Sequence, residues 1–312
     1  MKSFISIVVP AYNEECNLPL LSQKIAEIMG DSYTYELIII DDGSRDATLP
    51  LLRELHASNS SVHYLSFSRN FGHQSALKAG IDAALGDCVI SMDADMQHPP
   101  ELIPLMIEKW KEGFDIVHTQ RRDSASAGFF KRRSSHLFYA FMNSVSDIRI
   151  EEGTADFRLL DRRVAQLISG SSEYNLFLRG FISWIGFRQI HLPYEPAPRF
   201  SGTSKYTLRK MINLAINGIT SFSIKPLRIA TFLGLIISIL AFLYAFYAIF
   251  IYLFTTRAIA GWTSVLVSIL FIGGLQLFVM GIIGEYIGKI LLQSKQRPDY
   301  IIAESSRSIS RC

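Results

Sequence analysis

Cysteine is scarce in this chain. The three among 312 residues, Cys16, Cys88 and Cys312, lie far apart with no metal-ligand spacing. That excludes a disulfide scaffold and favours reduced thiols in a cytosolic compartment. The seven histidines include no i,i+4 pair, which argues against a zinc site. Net charge is small as well, and +3 gives no reason to expect a nucleic acid partner. No Gly-x-Gly-x-x-Gly follows the first strand-like run, so a dinucleotide fold of the usual kind is disfavoured. A signal peptide is also missing. Residues 4–9 are too short for one and run straight into a turn, so the catalytic part is expected to start and stay in the cytoplasm.

What is abundant is apolar sequence, at 49 % of residues, and it is unevenly spread. Residues 1–226 read as an ordinary globular mix, whereas 227–287 are almost free of charge. In the first 120 residues, strand-like runs at 4–9, 36–40, 62–67, 88–92 and 115–118 alternate with helix-like stretches at 17–29, 46–57, 74–84 and 100–111. Short apolar strands separated by helices predict a parallel sheet covered on both faces. Residues 121–200 break the alternation, hold a predicted helix at 131–144, and read as an acceptor-side elaboration. Residues 206–222 carry Leu208, Met211, Ile212, Ala215 and Ile219 at helical spacing beside Arg209 and Lys210, which fits a helix lying in a lipid interface. Residues 229–254 and 262–284 are each long enough to cross a bilayer, and the short link between them forces a hairpin. Lys225 and Arg228 precede the first span and Lys289, Lys295 and Arg297 follow the second, so the positive-inside rule puts both ends in the cytoplasm. Gly273, Gly274, Gly281, Gly284 and Gly288 permit close packing within the hairpin or between copies in a homo-oligomer.

In such sheets ligands sit at the carboxyl ends of the strands, and the notable motifs fall there. Pro10-Ala11-Tyr12-Asn13-Glu14 follows the first strand, with Tyr12 suited to a base and Glu14 to ribose hydroxyls. Asp41-Asp42-Gly43-Ser44 follows the second; Asp46 is expected to cap the next helix, leaving Asp42 free to reach a base or ribose edge. Asp93-Ala94-Asp95 follows the fourth. Carboxylates at i and i+2 can share one hard cation, Gln97 can add an oxygen, and such a cation, Mg2+ or Mn2+, neutralises a leaving diphosphate.

These motifs, with Arg199-Phe200-Ser201-Gly202-Thr203-Ser204-Lys205-Tyr206, resemble the polyprenyl-phosphate glycosyltransferases, inverting family-2 enzymes related to dolichol-phosphate mannose synthase. Gly153–Arg158, Leu178-Arg179-Gly180 before Trp184, and the tail ending Gly284-Glu285-Tyr286-Ile287-Gly288 make the likeness closest to the bacterial bactoprenol glucosyltransferases of O-antigen modification. The resemblance implies an α/β GT-A fold, Rossmann-like with a mostly parallel sheet, over residues 1–200. It also implies an interfacial amphipathic region at 201–226, a transmembrane hairpin at 227–288 and a cytoplasmic tail at 289–312, in the bacterial inner membrane. Pro10, Tyr12, Glu14 and Asp42 match its nucleotide-binding positions. Asp93, Ala94, Asp95 and Gln97 match its metal and diphosphate site, with Asp95 also catalytic. Arg121, Arg199 and Lys205 match phosphate-binding positions, and Arg132 and Arg133 resemble the segment that holds the acceptor phosphate together with Arg121. Asp156 matches the position proposed as general base. A lipid phosphate is already anionic near neutral pH, so orienting Arg158 or the sugar is the alternative role.

The implied reaction transfers glucose from UDP-glucose to undecaprenyl phosphate with inversion. Its expected partners are the bilayer, a flippase and a downstream transferase. The rivals are another sugar on the same lipid (N-acetylglucosamine, mannose or an aminoarabinose) and a non-catalytic membrane scaffold. The Gln-x-x-Arg-Trp pattern of processive synthases is absent. One departure stands out: His73 occupies a position where the family often has Lys.

Overall fold

Runs of branched apolar residues without polar alternation form the centre of the sheet. In the computed structural model, which describes residues 3–30, 32–121, 154–173, 176–195, 223–254 and 261–307, β1 (Phe4–Ala11), β2 (Thr34–Asp41), β3 (Val62–Phe67) and β4 (Cys88–Ser91) run parallel. Ile7, Val8 and Val9 are fully buried, because successive side chains enter cores on opposite faces. Ile5, Ile7 and Val9 join one core with α1 (Leu18–Met29), α2 (Thr48–Ser58) and α4 (Ile103–Lys111). Val8, Ile38 and Ile40 join the other, under α3 (His73–Ala83), α5 (Arg162–Ser169) and α6 (Leu178–Trp184). Each such fully buried side chain contributes about 1.5–3 kcal/mol. The approach of α3 depends on Gly80, where a Cβ would collide with Val8 and Ile40.

The described sheet has eight strands in the order β7-β5-β6-β4-β1-β2-β3-β8. β5 (Ile116–Arg121) and β7 (Gln189–Tyr194) pair in parallel, β6 (Thr154–Asp161) lies antiparallel between β4 and β5, and β8 (Ile302–Ser305) lies antiparallel on β3. Two expectations are corrected here. The 154–161 segment, read as part of an elaboration, is an internal strand of the sheet, and Asp156 lies toward the end where the cleft opens. The stretch 289–312 is not simply a tail: α8 runs on to Ser294, and the chain then returns to give the sheet its edge strand.

α7 (Lys225–Phe254) and α8 (Trp262–Ser294) are the two long apolar helices. Each is long and apolar enough to cross a membrane, and the windows Lys225–Tyr244 and Val267–Ser294 are 6 % and 0 % buried. Helices that present so much apolar surface outward are not core helices of a soluble domain, and the chain is membrane-associated. Gln293 Nε2 donates to Ser172 O at 2.7 Å, and Tyr286 Oη donates to Ser223 O at 2.7 Å. The predicted helices at 131–144 and 206–222 lie outside the described residues.

Candidate active site

The loops after β1 and β2 are laced together. Asn13, at φ 55°, accepts from Arg45 N at 2.9 Å and receives the Ser44 hydroxyl as acceptor for its own amide at 2.9 Å. Glu14 N donates to Thr48 Oγ1 at 3.1 Å, and Asn17 Nδ2 donates to the Glu14 carboxylate at 2.6 Å. Pro10 is buried, and Tyr12 and Glu14 are half-buried at the sheet's carboxyl edge. The N-cap of α2 is Ala47 rather than the expected Asp46, whose Oδ1 nonetheless accepts from Thr48 N at 3.1 Å.

Asp42 differs from expectation. It is 4 % exposed, and its carboxylate accepts from Phe71 N at 2.7 Å and from Gly72 N at 3.0 Å. Burial raises its pKa, against the lowering pull of those two amides. Its work is to fix the β3–α3 turn, whose next residue is His73. A carboxylate before a helix looks the same in sequence whether it caps, binds a ligand or pins a neighbouring loop, so the motif alone could not separate these roles.

At the end of β4, Asp93 and Asp95 are half-buried and Ala94 is buried between them. Met96 takes φ 61°, and Gln97 N donates to Asp95 Oδ1 at 3.1 Å. Buried His98 accepts from Asp93 N through Nδ1 at 3.2 Å, and its ring stacks on Phe157 at 5.3 Å. Asp93 Oδ1 is buried and has no hydrogen-bond partner among the described residues. An anionic oxygen in that state fits a cation. Among the described residues no three His, Cys, Asp or Glu side chains gather as a metal cage. Two carboxylates are nonetheless enough for Mg2+ or Mn2+, which commonly take one or two from protein and the rest from substrate phosphates and water.

His73 heads α3 in the same cleft, ringed by protein yet 42 % exposed at its side chain. Its Nε2 lies 3.6 Å from Asp93 Oδ1 and 3.4 Å from Asp156 Oδ2. Desolvation works against the charged ring, but Asp156 and Asp93 outweigh it and raise the pKa. Asp156, on β6, is 6 % exposed. Arg179 of α6 grips it with a two-pronged fork, Nε to Oδ1 at 3.0 Å and Nη2 to Oδ2 at 2.8 Å. Arg158 Nη2 adds a third bond at 2.5 Å. Burial would raise the Asp156 pKa, but Arg179, His73 and Arg158 hold it well below the usual carboxylate range. Arg121 ends β5, exposed, opposite Tyr194 of β7. Arg132, Arg133, Arg199 and Lys205 lie outside the described residues.

The fold therefore brings Asp93, Asp95 and Asp156 together, with Pro10, Tyr12, Glu14 and Asp42 along the same strand ends. His73, His98 and Arg179 had no assigned part in the sequence reading. The signals were faint: a histidine where lysine is usual, and an arginine inside Leu178-Arg179-Gly180.

The chain matches Glycosyl transferase family 2 over residues 6–168 and the GtrB C-terminal hairpin over residues 225–290. It is 44 % identical over 299 residues to a prophage bactoprenol glucosyl transferase homolog of Escherichia coli (strain K12), covering 96 % of this chain and 98 % of that one. It is 44 % identical over 304 residues to the bactoprenol glucosyl transferase of Shigella phage SfII, covering 97 % and 98 %. The glycosyltransferase YkcC of Bacillus subtilis (strain 168) is 44 % identical over 301 residues, covering 96 % and 93 %. Among solved structures, a mannosyltransferase from Pyrobaculum calidifontis in complex with GDP-Man and Mn2+ aligns with a TM-score of 0.49 at 18 % identity, over 71 % of this chain and 64 % of that one.

Proposed function

The chain belongs to glycosyl transferase family 2, with a GT-A catalytic domain and the GtrB hairpin, and from that membership we propose that it transfers glucose from UDP-glucose to undecaprenyl phosphate at the cytoplasmic face of the bacterial inner membrane. The observation that carries this reading is the end-to-end likeness to bactoprenol glucosyl transferases, hairpin included, in a chain whose cleft keeps Asp93 and Asp95 at the end of β4.

Pro10, Tyr12 and Glu14 line the nucleoside end of the cleft, and Arg199 and Lys205 supply cations for phosphate. Asp93 and Asp95, with Gln97, would hold Mg2+ or Mn2+, which supplies Lewis acidity at the leaving diphosphate. The lipid phosphate, mostly dianionic above its second pKa of about 6, needs no base. Its oxygen forms the new bond to the anomeric carbon as the bond to the UDP oxygen breaks, and the configuration inverts. Held near the acceptor, the reacting groups meet without the cost of a free encounter. Arg121, Arg132 and Arg133 are assigned to the acceptor's phosphate.

The return of the chain to form β8 supports, independently of the positive-inside rule, a hairpin with both ends on one side of the bilayer. A strand that pairs with β3 lies on the same side of the bilayer as β3, so the segments before α7 and after α8 share one face. A product made there for use outside requires a flippase and a downstream transferase.

The test supplies membranes containing the protein with a panel of radiolabelled nucleotide sugars and Mg2+, followed by lipid extraction. Label is expected in lipid from UDP-glucose and is lost in Asp95→Ala. Label from another donor alone overturns glucose and keeps the class; no lipid label from any donor overturns the reading.

A further inference from the structure

Beyond the carboxylate pair, on the side of β4 away from β1 and β2, lies a buried group of charged side chains. One carboxylate, Asp156, serves two guanidiniums, Arg158 and Arg179. Arg158 is 3 % exposed, and its Nη1 is buried with no hydrogen-bond partner among the described residues. His73 adds an imidazole whose Nε2 lies 3.4 Å from Asp156 Oδ2. His118, on β5, is kept neutral, its pKa pushed down to about 3 by burial and by Arg158. Asp93 is shared with the candidate cation site. A buried guanidinium N–H that lacks an acceptor is costly, and an arriving anion offers one.

Arg179 is the member of the group that an anion can reach, with 28 % of its side chain exposed. A planar guanidinium whose orientation is fixed by a carboxylate suits the two-oxygen edge of a phosphate. Sheet order decides which phosphate. The nucleoside end lies over β1 and β2, the carboxylate pair ends β4, and Asp156 starts β6 on the far side. An in-line displacement needs its attacking oxygen on the face of the anomeric carbon opposite the leaving diphosphate, and that is the side where Arg179 stands.

We propose that Arg179 binds the phosphate of the lipid acceptor and that Asp156 is a positioning residue that holds the Arg179 guanidinium in place. The inference rests on the transferase reading above and adds a residue to its acceptor side. A carboxylate held so far below its usual range is a poor proton acceptor, which agrees with a positioning role.

Two measurements on the full chain in detergent test this. In kinetics with UDP-glucose and a short-chain polyprenyl phosphate, Arg179→Lys is expected to raise the acceptor KM by roughly 10- to 100-fold and leave the donor KM within about twofold. Asp156→Asn is expected to move the acceptor KM as well. A raised donor KM in Arg179→Lys, or no change in either KM, overturns the binding role; a fall in kcat alone for Asp156→Asn overturns the positioning role. The second measurement needs no variant: phenylglyoxal modification of wild-type Arg179, read by peptide mass. Polyprenyl phosphate is expected to protect Arg179 and UDP is not; the reverse pattern overturns the proposal. Protection by the lipid phosphate in a protein that shows no glucose transfer would overturn the glucose reading and leave this one standing.

Discussion

Asn13 and Met96 both hold left-handed backbone, at the exits of β1 and β4. Conformations of that kind cost bulky residues about 1–3 kcal/mol and persist where the surroundings enforce them. At Met96 the turn lets the Gln97 amide come back onto Asp95. A β-branched residue tolerates the turn least, so Met96→Val is expected to lower stability by about 1–3 kcal/mol and to slow transfer; thermal unfolding in detergent and initial rates check both. Asp95→Asn keeps an acceptor for the Gln97 amide and removes the charge. It is expected to fold with an unchanged melting temperature and to lose the response of transfer rate to added Mg2+ or Mn2+, which a metal titration reads out. At this scale the sequence showed what depended on neighbours. Asp93 and Asp95 stand one residue apart on one strand end, a pattern visible in the string. His73, Asp156 and Arg179 come from α3, β6 and α6, and no local pattern links residues that meet only after the sheet forms.

The element scale shows the same division. The parallel strands were legible because burial on both faces leaves unbroken apolar runs, and observed and expected bounds differ by two residues or fewer except at the C-terminus of β5, which runs on to Arg121. β6 was not, since Asp156 and Arg158, buried inside the fold, interrupt the apolar run of Thr-Ala-Asp-Phe-Arg-Leu-Leu-Asp. β8 has four residues, too few for a period. Its hold is polar: Arg53 forks onto Glu304 at 2.8 and 2.6 Å, and Tyr64 Oη donates to Glu304 at 2.7 Å. Those bonds bring the Glu304 pKa from 4.5 down to about 2. A depressed carboxylate stabilises fully above its unfolded pKa and loses that contribution as pH falls through the folded one. Amide exchange in β8 is therefore expected to quicken as pH falls from about 4.5 to about 2, after correction for intrinsic rates, and Glu304→Gln is expected to abolish that dependence. Exposure of the pair keeps the effect modest. The turn after β2 makes a contrasting, steric joint. Gly43 has φ +67°, and a Cβ there would stand 2.5 Å from the Arg69 carbonyl carbon. Gly43→Ala is expected to cost about 1–3 kcal/mol, measurable as a lowered unfolding midpoint, because it pushes apart the loops that Asp42 ties.

At the scale of the whole molecule, a catalytic sheet contains both the residues before a hairpin of apolar helices and a strand that follows it. Cys16 is exposed and Cys88 buried among the described cysteines, which supplies a probe. In a Cys312→Ser background, a membrane-impermeant maleimide is expected to label Cys16 only from the cytoplasmic side, and a cysteine placed at Gly261 only from the outer side. Labelling of both from one side would contradict the hairpin orientation. Length and absence of charge made the two spans readable from sequence; the return of the chain to β3 was not readable, because pairing partners more than two hundred residues apart leave no trace in composition.

That return sets an order of events during synthesis. β3 leaves the ribosome long before β8, and an unpaired edge strand is a template for unwanted pairing. The edge stays open until α7 and α8 have been made and the chain has come back to β3. A chain with only one of the two helices threaded would leave β8 across the bilayer from its partner. Closing the sheet therefore depends on both helices being threaded: in a chain that crosses the bilayer once, the edge at β3 stays open.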